Sequence, residues 1–152
     1  FKYIIEIKNG GEEGKEALDI LYNTLIERDI LDRVIFGTFN GEISEYASEN
    51  YPDLIRSASI KEVVEFYIAT LLGRKGYEPP VKVLQVFYGK KYFKFGVNLA
   101  TSRVINYAHS HNMAIQYWTI NDEDEIRYLL SIGADGIMTD YVEKAFEIKK
   151  EY

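Results

Sequence analysis

Cysteine is absent from the 152-residue sequence, and histidine and tryptophan are scarce. Without cysteine the chain has no disulfides, no thiolate metal ligands and no cysteine nucleophile. The only two histidines are His109 and His111, and the only tryptophan is Trp118. The two histidines are therefore the only ones that this chain can offer for acid–base chemistry.

Long hydrophobic runs are also missing. No apolar segment reaches the roughly 18 residues that a membrane-spanning helix needs. The chain starts at Phe1, inside a predicted strand, and shows no recognisable signal peptide. We expect a chain that is truncated at its N-terminus, with the cytoplasm or a membrane periphery as its location.

An excess of positive charge is missing as well. The sequence has 18 Lys and Arg residues against 24 Asp and Glu residues, a formal net charge of −6. A general nucleic-acid binder normally shows a basic face, so we expect no nucleic-acid partner. Neither G-x-G-x-x-G nor G-x-x-x-x-G-K-[ST] occurs, which removes the best support for a nucleotide-binding fold.

The sequence does contain a repeated alternation of apolar strands and amphipathic helices. Predicted strands cover 1–8, 34–37, 54–57, 81–87, 114–119 and 136–138, and predicted helices cover 12–27, 42–50, 60–72, 101–112, 124–131 and 141–151. Six uninterrupted strand–helix pairs indicate an α/β fold with a parallel sheet. The pattern is compatible with two architectures. One is a six-stranded open sheet, and the other is a TIM (β/α)8 barrel, for which the chain is roughly 100 residues short.

Glu6 and Lys8 are the first candidates for chemistry. They share one face of a strand that otherwise consists of apolar and aromatic residues, and unpaired charges are costly to bury. We therefore expect them at the exposed carboxyl end of the strand, where active sites of parallel α/β folds lie. The carboxylate of Glu6 suits a hard divalent cation, and Lys8 suits an anionic group such as phosphate. A structural ion pair between the two is the alternative.

Other candidates lie nearer the end of the chain. The pattern of its strand favours Trp118 as a core residue over a pocket wall, and Asp140 is expected to cap the terminal helix. His109 and His111 are not expected to be catalytic or metal-binding, because residues two apart on a helix face different directions. The loop from Tyr88 to Asn98 carries three lysines among aromatic residues, and either overhangs a site or lies on the surface.

The predicted helix from Ile60 to Leu72 is the most apolar of the six. Ser59 and Glu62 have the spacing of a capping box at its start. Its charged residues Lys61, Glu62 and Glu65 predict a helix that covers the sheet, and not a membrane anchor.

Five segments together resemble the glycerophosphodiester phosphodiesterase family. The runs at 104–109 (Val-Ile-Asn-Tyr-Ala-His), 117–122 (Tyr-Trp-Thr-Ile-Asn-Asp) and 133–140 (Gly-Ala-Asp-Gly-Ile-Met-Thr-Asp) resemble the family's C-terminal third. The run at 3–8 (Tyr-Ile-Ile-Glu-Ile-Lys) looks like its third-strand motif, and 33–40 looks like its fourth strand. The resemblance spans the whole chain and is weakest between residues 60 and 100.

The resemblance implies a fold, an activity and roles for several residues. The family is a TIM barrel that hydrolyses glycerophosphodiesters to an alcohol and glycerol 3-phosphate with Ca²⁺ or Mg²⁺. By resemblance, Glu6 is a metal ligand and Lys8 is a catalytic residue that contacts the phosphate. Trp118, Phe39 and Tyr88 are implied to line the substrate site, which moves Trp118 from core to pocket wall.

The resemblance also implies what this chain lacks. The family's first strand carries His-Arg-Gly and a metal-binding glutamate, and its second strand carries Glu-x-Asp with a second histidine nearby; none of these motifs occurs in a predicted strand here. We therefore predict that residues 1–152 form one incomplete barrel domain, strands three to eight, which is inactive alone. The alternatives are a non-catalytic binding module, whose open barrel edges a partner chain or a second copy covers, and a phospholipase D of the sphingomyelinase type.

Overall fold

The computed structural model describes residues 2–88 and 97–152. Within these ranges the order of elements is β1 (Tyr3–Glu6), α1 (Gly11–Glu27), a 3₁₀ turn (Leu31–Arg33), β2 (Val34–Gly37), α2 (Gly41–Asn50), α3 (Ile60–Leu72), β3 (Val83–Phe87), α4 (Ser102–Ser110), β4 (Ala114–Trp118), α5 (Glu123–Ser131), β5 (Gly136–Ile137) and α6 (Val142–Lys149). The predicted alternation of strands and helices is confirmed except between α2 and α3, with boundaries that differ by a few residues. Most of the lysine-rich loop predicted at 88–98 lies outside the described residues.

All described strand pairs are parallel, as the sequence pattern predicts. Strand β1 pairs with β2, with Glu6 opposite Gly37. A separate three-stranded sheet has the order β3-β4-β5, with Phe87 opposite Trp118 and Tyr117 opposite Ile137. The sheets of the described residues do not close into a barrel, so the structure shows an α/β fold built from two parallel sheets.

One of the six predicted strands is wrong. The segment 54–57 does not form a strand but makes a single bridge to β2, between Phe36 and Arg56. Two hydrogen bonds hold it there, from Phe36 N to Ile55 O and from Ser57 N to Phe36 O, both 2.8 Å long. A segment that is predicted as a strand can thus lie beside another strand without forming a regular series of backbone hydrogen bonds, because strand pairing depends on the residues of both segments.

The chain divides into two compact units. The first comprises Phe1–Val64 and Pro80–Lys82, and the second comprises Glu65–Pro79 and Val83–Tyr152. In the first unit, helices α1 and α2 cover the β1-β2 pair. Its core is built on Leu18, Leu25, Phe36 and Ile43, which are at most 2% exposed.

The core of the second unit forms where helices α4 and α5 pack against its sheet. Leu84, Ile105, Ile115, Tyr117 and Leu129 are completely buried. Tyr117 brings a polar group into this core, and its hydroxyl donates a hydrogen bond of 2.8 Å to the carbonyl of Leu99. Burial raises the pKa of the Tyr117 phenol well above its usual range, so the side chain stays neutral.

Of the two helix caps predicted above, one is confirmed. Asn40, Thr101 and Asp122 cap α2, α4 and α5 by accepting hydrogen bonds from the first-turn amides, and Ser59 begins α3. The prediction that Asp140 caps the terminal helix is wrong. Tyr141 occupies that position, without a side-chain cap.

Candidate functional site

Glu6 and Lys8 lie at the carboxyl end of β1, as predicted. Glu6 is the last residue of the strand, and the ladder continues for one more bond, from Ile7 N to Gly37 O at 3.1 Å. Ile7 is buried, whereas Glu6 and Lys8 on either side of it are exposed. Buried Ile7 thereby fixes the segment from which both charged side chains project.

Glu6 and Lys8 do not form the ion pair that was the alternative interpretation of their spacing. Among the described residues, neither Glu6 nor Lys8 has an ion-pair partner. Nearby, Lys15 is held at 3.0 Å from Glu12 and at 2.8 Å from Glu42. These carboxylates, Glu42 first, raise the pKa of Lys15 well above its usual range. The charge of Lys15 is therefore compensated, and that of Lys8 is open to an anion.

Phe39 lies in the loop that follows β2, the strand beside Glu6. Its side chain is 56% exposed, and the next residue, Asn40, starts α2. The Asn40 side-chain oxygen accepts hydrogen bonds from Glu42 N at 3.0 Å and Ile43 N at 3.4 Å. This cap holds the loop, so Phe39 is presented from a defined backbone position.

The loops after β1 and β2 touch each other at Gly10. A Cβ atom on Gly10 would collide with the side-chain amide of Asn40. Only a residue without a side chain allows this approach while Asn40 keeps its two cap bonds. The Gly10–Asn40 contact therefore couples the segment of Lys8 to that of Phe39.

Gly10→Ala is expected to lower the free energy of unfolding by about 1 kcal/mol, because it displaces Asn40 and removes the cap of α2. Urea unfolding measures the change. Gly41→Ala is the matched control, since a Cβ there meets nothing within 4 Å. In an Asn40→Ala background the Gly10→Ala loss should largely disappear, and a loss that stays the same would contradict the coupling.

Trp118 and Phe87 lie side by side at the carboxyl ends of β4 and β3. Their rings form an edge-to-face pair with centroids 6.1 Å apart and planes at 81°. Two residues earlier on the same face, Gln85 Nε2 donates a hydrogen bond of 3.0 Å to Gln116 Oε1. Phe87 is 40% exposed and Trp118 half-buried. The second unit thus carries a partly exposed aromatic wall above a pair of amides.

Tyr88 belongs to different surroundings. Its ring lies 6.4 Å from that of Tyr117 and 6.3 Å from that of Tyr128, which it stacks on at 25°. Burial, followed by the charge of Glu125, raises the pKa of Tyr88. The strand alternation thus sets Tyr88 against the helix side, whereas Phe87 adjoins Trp118.

Asp140 takes part in a polar network that the sequence did not indicate. Asn121 donates a hydrogen bond of 2.8 Å from Nδ2 to Asp140 Oδ2. The Oδ1 atom of Asn121 accepts bonds from Thr139 Oγ1 and Asp140 N, both at 3.0 Å. The network ties the segment after β4 to that after β5, next to Trp118, where a cis peptide bond precedes Thr119.

Sequence reasoning also missed Arg56, the residue that forms the bridge to Phe36 of β2. Its guanidinium makes a bidentate ion pair with Glu62, with N–O distances of 2.8 and 2.7 Å, and both side chains are at most 14% exposed. Glu62 also accepts a hydrogen bond of 2.7 Å from Ser59 N, which completes the predicted capping box. The sequence signal that could have indicated this ion pair was an arginine six residues before the glutamate of the capping box.

No cluster of three or more Asp, Glu, His or Cys residues that could hold a metal occurs in the part of the chain that the structure describes. His109 Nε2 lies 2.9 Å from Asp135 Oδ2, and His111 Nδ1 lies 2.8 Å from Tyr107 O. Both histidines have structural partners on α4 and its neighbours. Glu6 is one carboxylate, fewer than a hard cation requires.

Curated proteins match this sequence along nearly its whole length. A glycerophosphodiester phosphodiesterase of Bacillus altitudinis is 26% identical over 154 residues, which cover 99% of this chain and 57% of the relative. The chain therefore spans little more than half the length of this relative.

Solved structures of similar fold also match nearly the whole of this chain and little more than half of their own length. A glycerophosphodiester phosphodiesterase from Parabacteroides distasonis superposes with a TM-score of 0.72 at 17% identity, covering 99% of this chain and 58% of its own. An Oleispira antarctica phosphodiesterase, solved with the product sn-glycerol-3-phosphate, gives a TM-score of 0.63 at 16% identity, covering 95% and 54%. These likenesses establish a shared fold.

The family model agrees with the segments quoted above. The model of the glycerophosphoryl diester phosphodiesterase family matches residues 1–144, which include Glu6, Lys8, Phe39 and Trp118. Since the match extends over almost the entire sequence, the chain belongs to the glycerophosphoryl diester phosphodiesterase family.

Proposed function

We propose that this chain supplies strands three to eight of a TIM barrel in a metal-dependent phosphodiesterase, which hydrolyses glycerophosphodiesters to an alcohol and glycerol 3-phosphate. The observation that carries the proposal is the exposed pair Glu6 and Lys8 at the carboxyl end of β1, within the region that matches the family. Carboxyl ends of strands are where parallel barrels place their active sites. The exposed residue Phe39 follows the neighbouring strand at the same end.

Metal binding is proposed for the complete protein only. Ca²⁺ takes six to eight oxygen ligands and Mg²⁺ takes six, whereas no group of three or more Asp, Glu, His or Cys residues that could hold a metal occurs among the described residues. The described residues thus do not form a complete cation site. Glu6 would contribute one ligand, and the others would come from outside residues 1–152.

Lys8 is proposed to contact the phosphate of the substrate. Its ammonium has no carboxylate partner among the described residues, unlike that of Lys15, which is bound by two. An uncompensated cation at a strand end attracts a phosphodiester, and it stabilises negative charge that develops during hydrolysis.

Three aromatic residues are proposed to line the substrate site. The edge-to-face pair with Phe87 supports Trp118 as a wall, and Phe39 is proposed as a second wall because it follows β2, whose carboxyl end lies beside that of β1, and is 56% exposed. Tyr88 packs against Tyr117 and Tyr128, which favours a supporting role at the rim. The Oleispira antarctica phosphodiesterase, with sn-glycerol-3-phosphate bound, supports a glycerophosphodiester or a lysophospholipid-like molecule as substrate.

The 152-residue chain alone is expected to release no glycerol 3-phosphate from glycerophosphocholine, with either Ca²⁺ or Mg²⁺ present. It offers one carboxylate for the cation, and its two histidines are engaged with Asp135 and with the carbonyl of Tyr107. An enzyme-coupled assay for glycerol 3-phosphate measures the result. Metal-dependent turnover that follows the purified chain through chromatography would disprove the expectation.

A second candidate function, a non-catalytic interaction module, is favoured by uncovered apolar surface. A groove of about 500 Å³ lies along β5 between α5 and α6, and Val142 and Phe146 on its rim are more than 60% exposed. On β1, Tyr3 and Ile4 are more than 40% exposed. A partner strand or helix would cover such edges. Size-exclusion chromatography with light scattering discriminates, because a stable monomer argues against an obligate partner.

A further inference from the structure

Helix α3 has an apolar outer face. Ile60, Val64, Ile68, Leu71 and Leu72 are between 46% and 63% exposed. Their spacing of four, four, three and one residues places them on one side of a continuous helix. A helix that covers a sheet normally turns polar residues outward, so five exposed aliphatic side chains in a row are unusual.

The opposite face of α3 already has its partners. Phe66, Ala69 and Thr70 are at most 1% exposed, and the Thr70 hydroxyl donates to Phe66 O at 2.9 Å. Glu62, one of the three charged residues noted in the sequence, turns inward to Arg56. Of the predicted charges, only Lys61 and Glu65 are exposed.

Positive charge surrounds this apolar face. Lys61 lies within it, and Arg74 and Lys75 follow directly after the helix, where Gly73 turns the chain with φ of +60°. All three cations are exposed, and Glu65 is the one exposed carboxylate on α3 itself. Glu78, a few residues further on, is a second exposed carboxylate, so three cations stand against two carboxylates in a chain whose net charge is −6.

We propose that the outer face of α3 docks on an anionic phospholipid surface. An interfacial helix combines aliphatic residues that enter the acyl boundary with lysines or arginines that meet anionic head groups, and α3 with its flanking residues has both. The positive charge complements an anionic bilayer, and electrostatic attraction adds to the apolar contribution.

The size of the face argues against a second copy of the chain as its occupant. A helix of 13 residues is about 20 Å long. One face of such a helix is small beside the roughly 800 Å² per partner that a specific protein interface buries. Insertion into a lipid surface needs no matching partner surface. The proposal uses none of the residues assigned to hydrolysis, so it stands or falls separately from the proposed function.

Vesicle flotation of the purified chain tests the proposal. We expect binding to vesicles of equimolar phosphatidylcholine and phosphatidylglycerol, and weaker binding to phosphatidylcholine alone. Raising the salt from about 0.1 M to about 1 M should weaken binding, because the screening length falls from about 10 to about 3 Å. Absence of binding to the anionic vesicles at the lower salt would overturn the proposal.

Substitutions on α3 identify the binding face. Ile68→Gln with Leu71→Gln should lower the vesicle partition coefficient by about tenfold, since two aliphatic side chains no longer enter the lipid. The matched control is Ile20→Gln with Ile26→Gln on α1, whose side chains are 60% and 51% exposed, and it should retain binding within about twofold. Equal losses in the two variants would refute α3 as the docking face.

Two further measurements separate docking on lipid from self-association of the chain. Lys75→Glu lies outside the helix, should leave the circular dichroism and unfolding curves unchanged, and should weaken binding to anionic vesicles specifically. Light scattering without lipid should give a monomer for both the natural chain and the Ile68→Gln, Leu71→Gln variant. A dimer that this variant disrupts would assign the face to self-association and overturn the proposal.

Discussion

Replacing Glu62 with glutamine is expected to lower the free energy of unfolding by about 3 kcal/mol, the largest loss that we foresee for a single exchange of this size. The bidentate pair with Arg56 is at most 14% exposed, and removing one partner leaves the other charge buried and uncompensated. The exchange also weakens the bond from Ser59 N that starts α3. Urea unfolding followed by circular dichroism measures the loss.

The same pair predicts how stability depends on pH. Burial alone would raise the pKa of Glu62, but the hydrogen bonds from Arg56 and Ser59 outweigh it and hold the pKa below its usual range. A carboxyl group with a lowered pKa in the folded state stabilises the protein above its unfolded pKa, and this contribution is lost as the pH falls through the folded value. The stability difference between the natural chain and Glu62→Gln should therefore be complete near neutral pH. It should shrink below about pH 4.5.

Glu65→Gln is the control for both effects. It changes the same functional group one turn further along α3, but its side chain is exposed, so a change within about 0.5 kcal/mol is expected. A second test replaces Arg56 and Glu62 together with methionine and leucine, which should recover part of the loss because no buried charge is left alone. If Glu62→Gln and Glu65→Gln behaved alike, the ion pair would not be the stabilising feature that its geometry indicates.

Local signals in the sequence were enough for most helices. Ser59 and Glu62 form the capping box that their spacing predicts, because both partners lie within one turn. Asp140 has the same residue type as the true cap Asp122, yet Asn121 binds it instead. That outcome depends on a residue 19 positions away, which periodicity and capping rules do not consider.

Strand pairing was harder to predict for the same reason. The segment 54–57 begins with two apolar residues, as the predicted strand at 34–37 does, but it makes one bridge to β2. The pairing of Trp118 with Phe87 follows from the register of β3 and β4, which the sequence of either strand alone does not contain. Side-chain neighbours in a sheet are thus set by partners that are distant in sequence.

The site residues also divide into those that local sequence patterns placed correctly and those whose surroundings depend on distant partners. Alternation along β1 was sufficient to place Glu6 and Lys8 at an exposed strand end, because buried Ile7 separates them. Their proposed roles followed first from the chemistry of their charges, and family resemblance made those roles specific and moved Trp118 from core to pocket wall. Arg56 was missed, because its partner became apparent only when the segment after β2 and the start of α3 were seen together.

Glu6→Gln is expected to reduce kcat/KM by at least about 100-fold in the complete enzyme, with the first two strand–helix units supplied. Glutamine keeps the size and one oxygen of the side chain but loses the negative charge that a hard cation prefers. Even residues that only support a metal ligand change activity or affinity by about 10- to 100-fold. Release of glycerol 3-phosphate, measured across a range of Ca²⁺ and Mg²⁺ concentrations, should show a lower maximum and a weaker apparent metal affinity together.

Glu16→Gln is the control for that measurement, because it removes the same charge from an exposed position on α1 and should leave both quantities unchanged. Measuring the maximum activity and the apparent metal affinity together distinguishes metal binding by Glu6 from a long-range effect of its charge. A carboxylate that binds the cation shifts the metal dependence, whereas one that acts only through long-range charge responds to salt and shifts KM. If Glu6→Gln lowered activity with an unaltered metal dependence, Glu6 would not be a ligand, and a role beside Lys8 in positioning the phosphodiester would replace it.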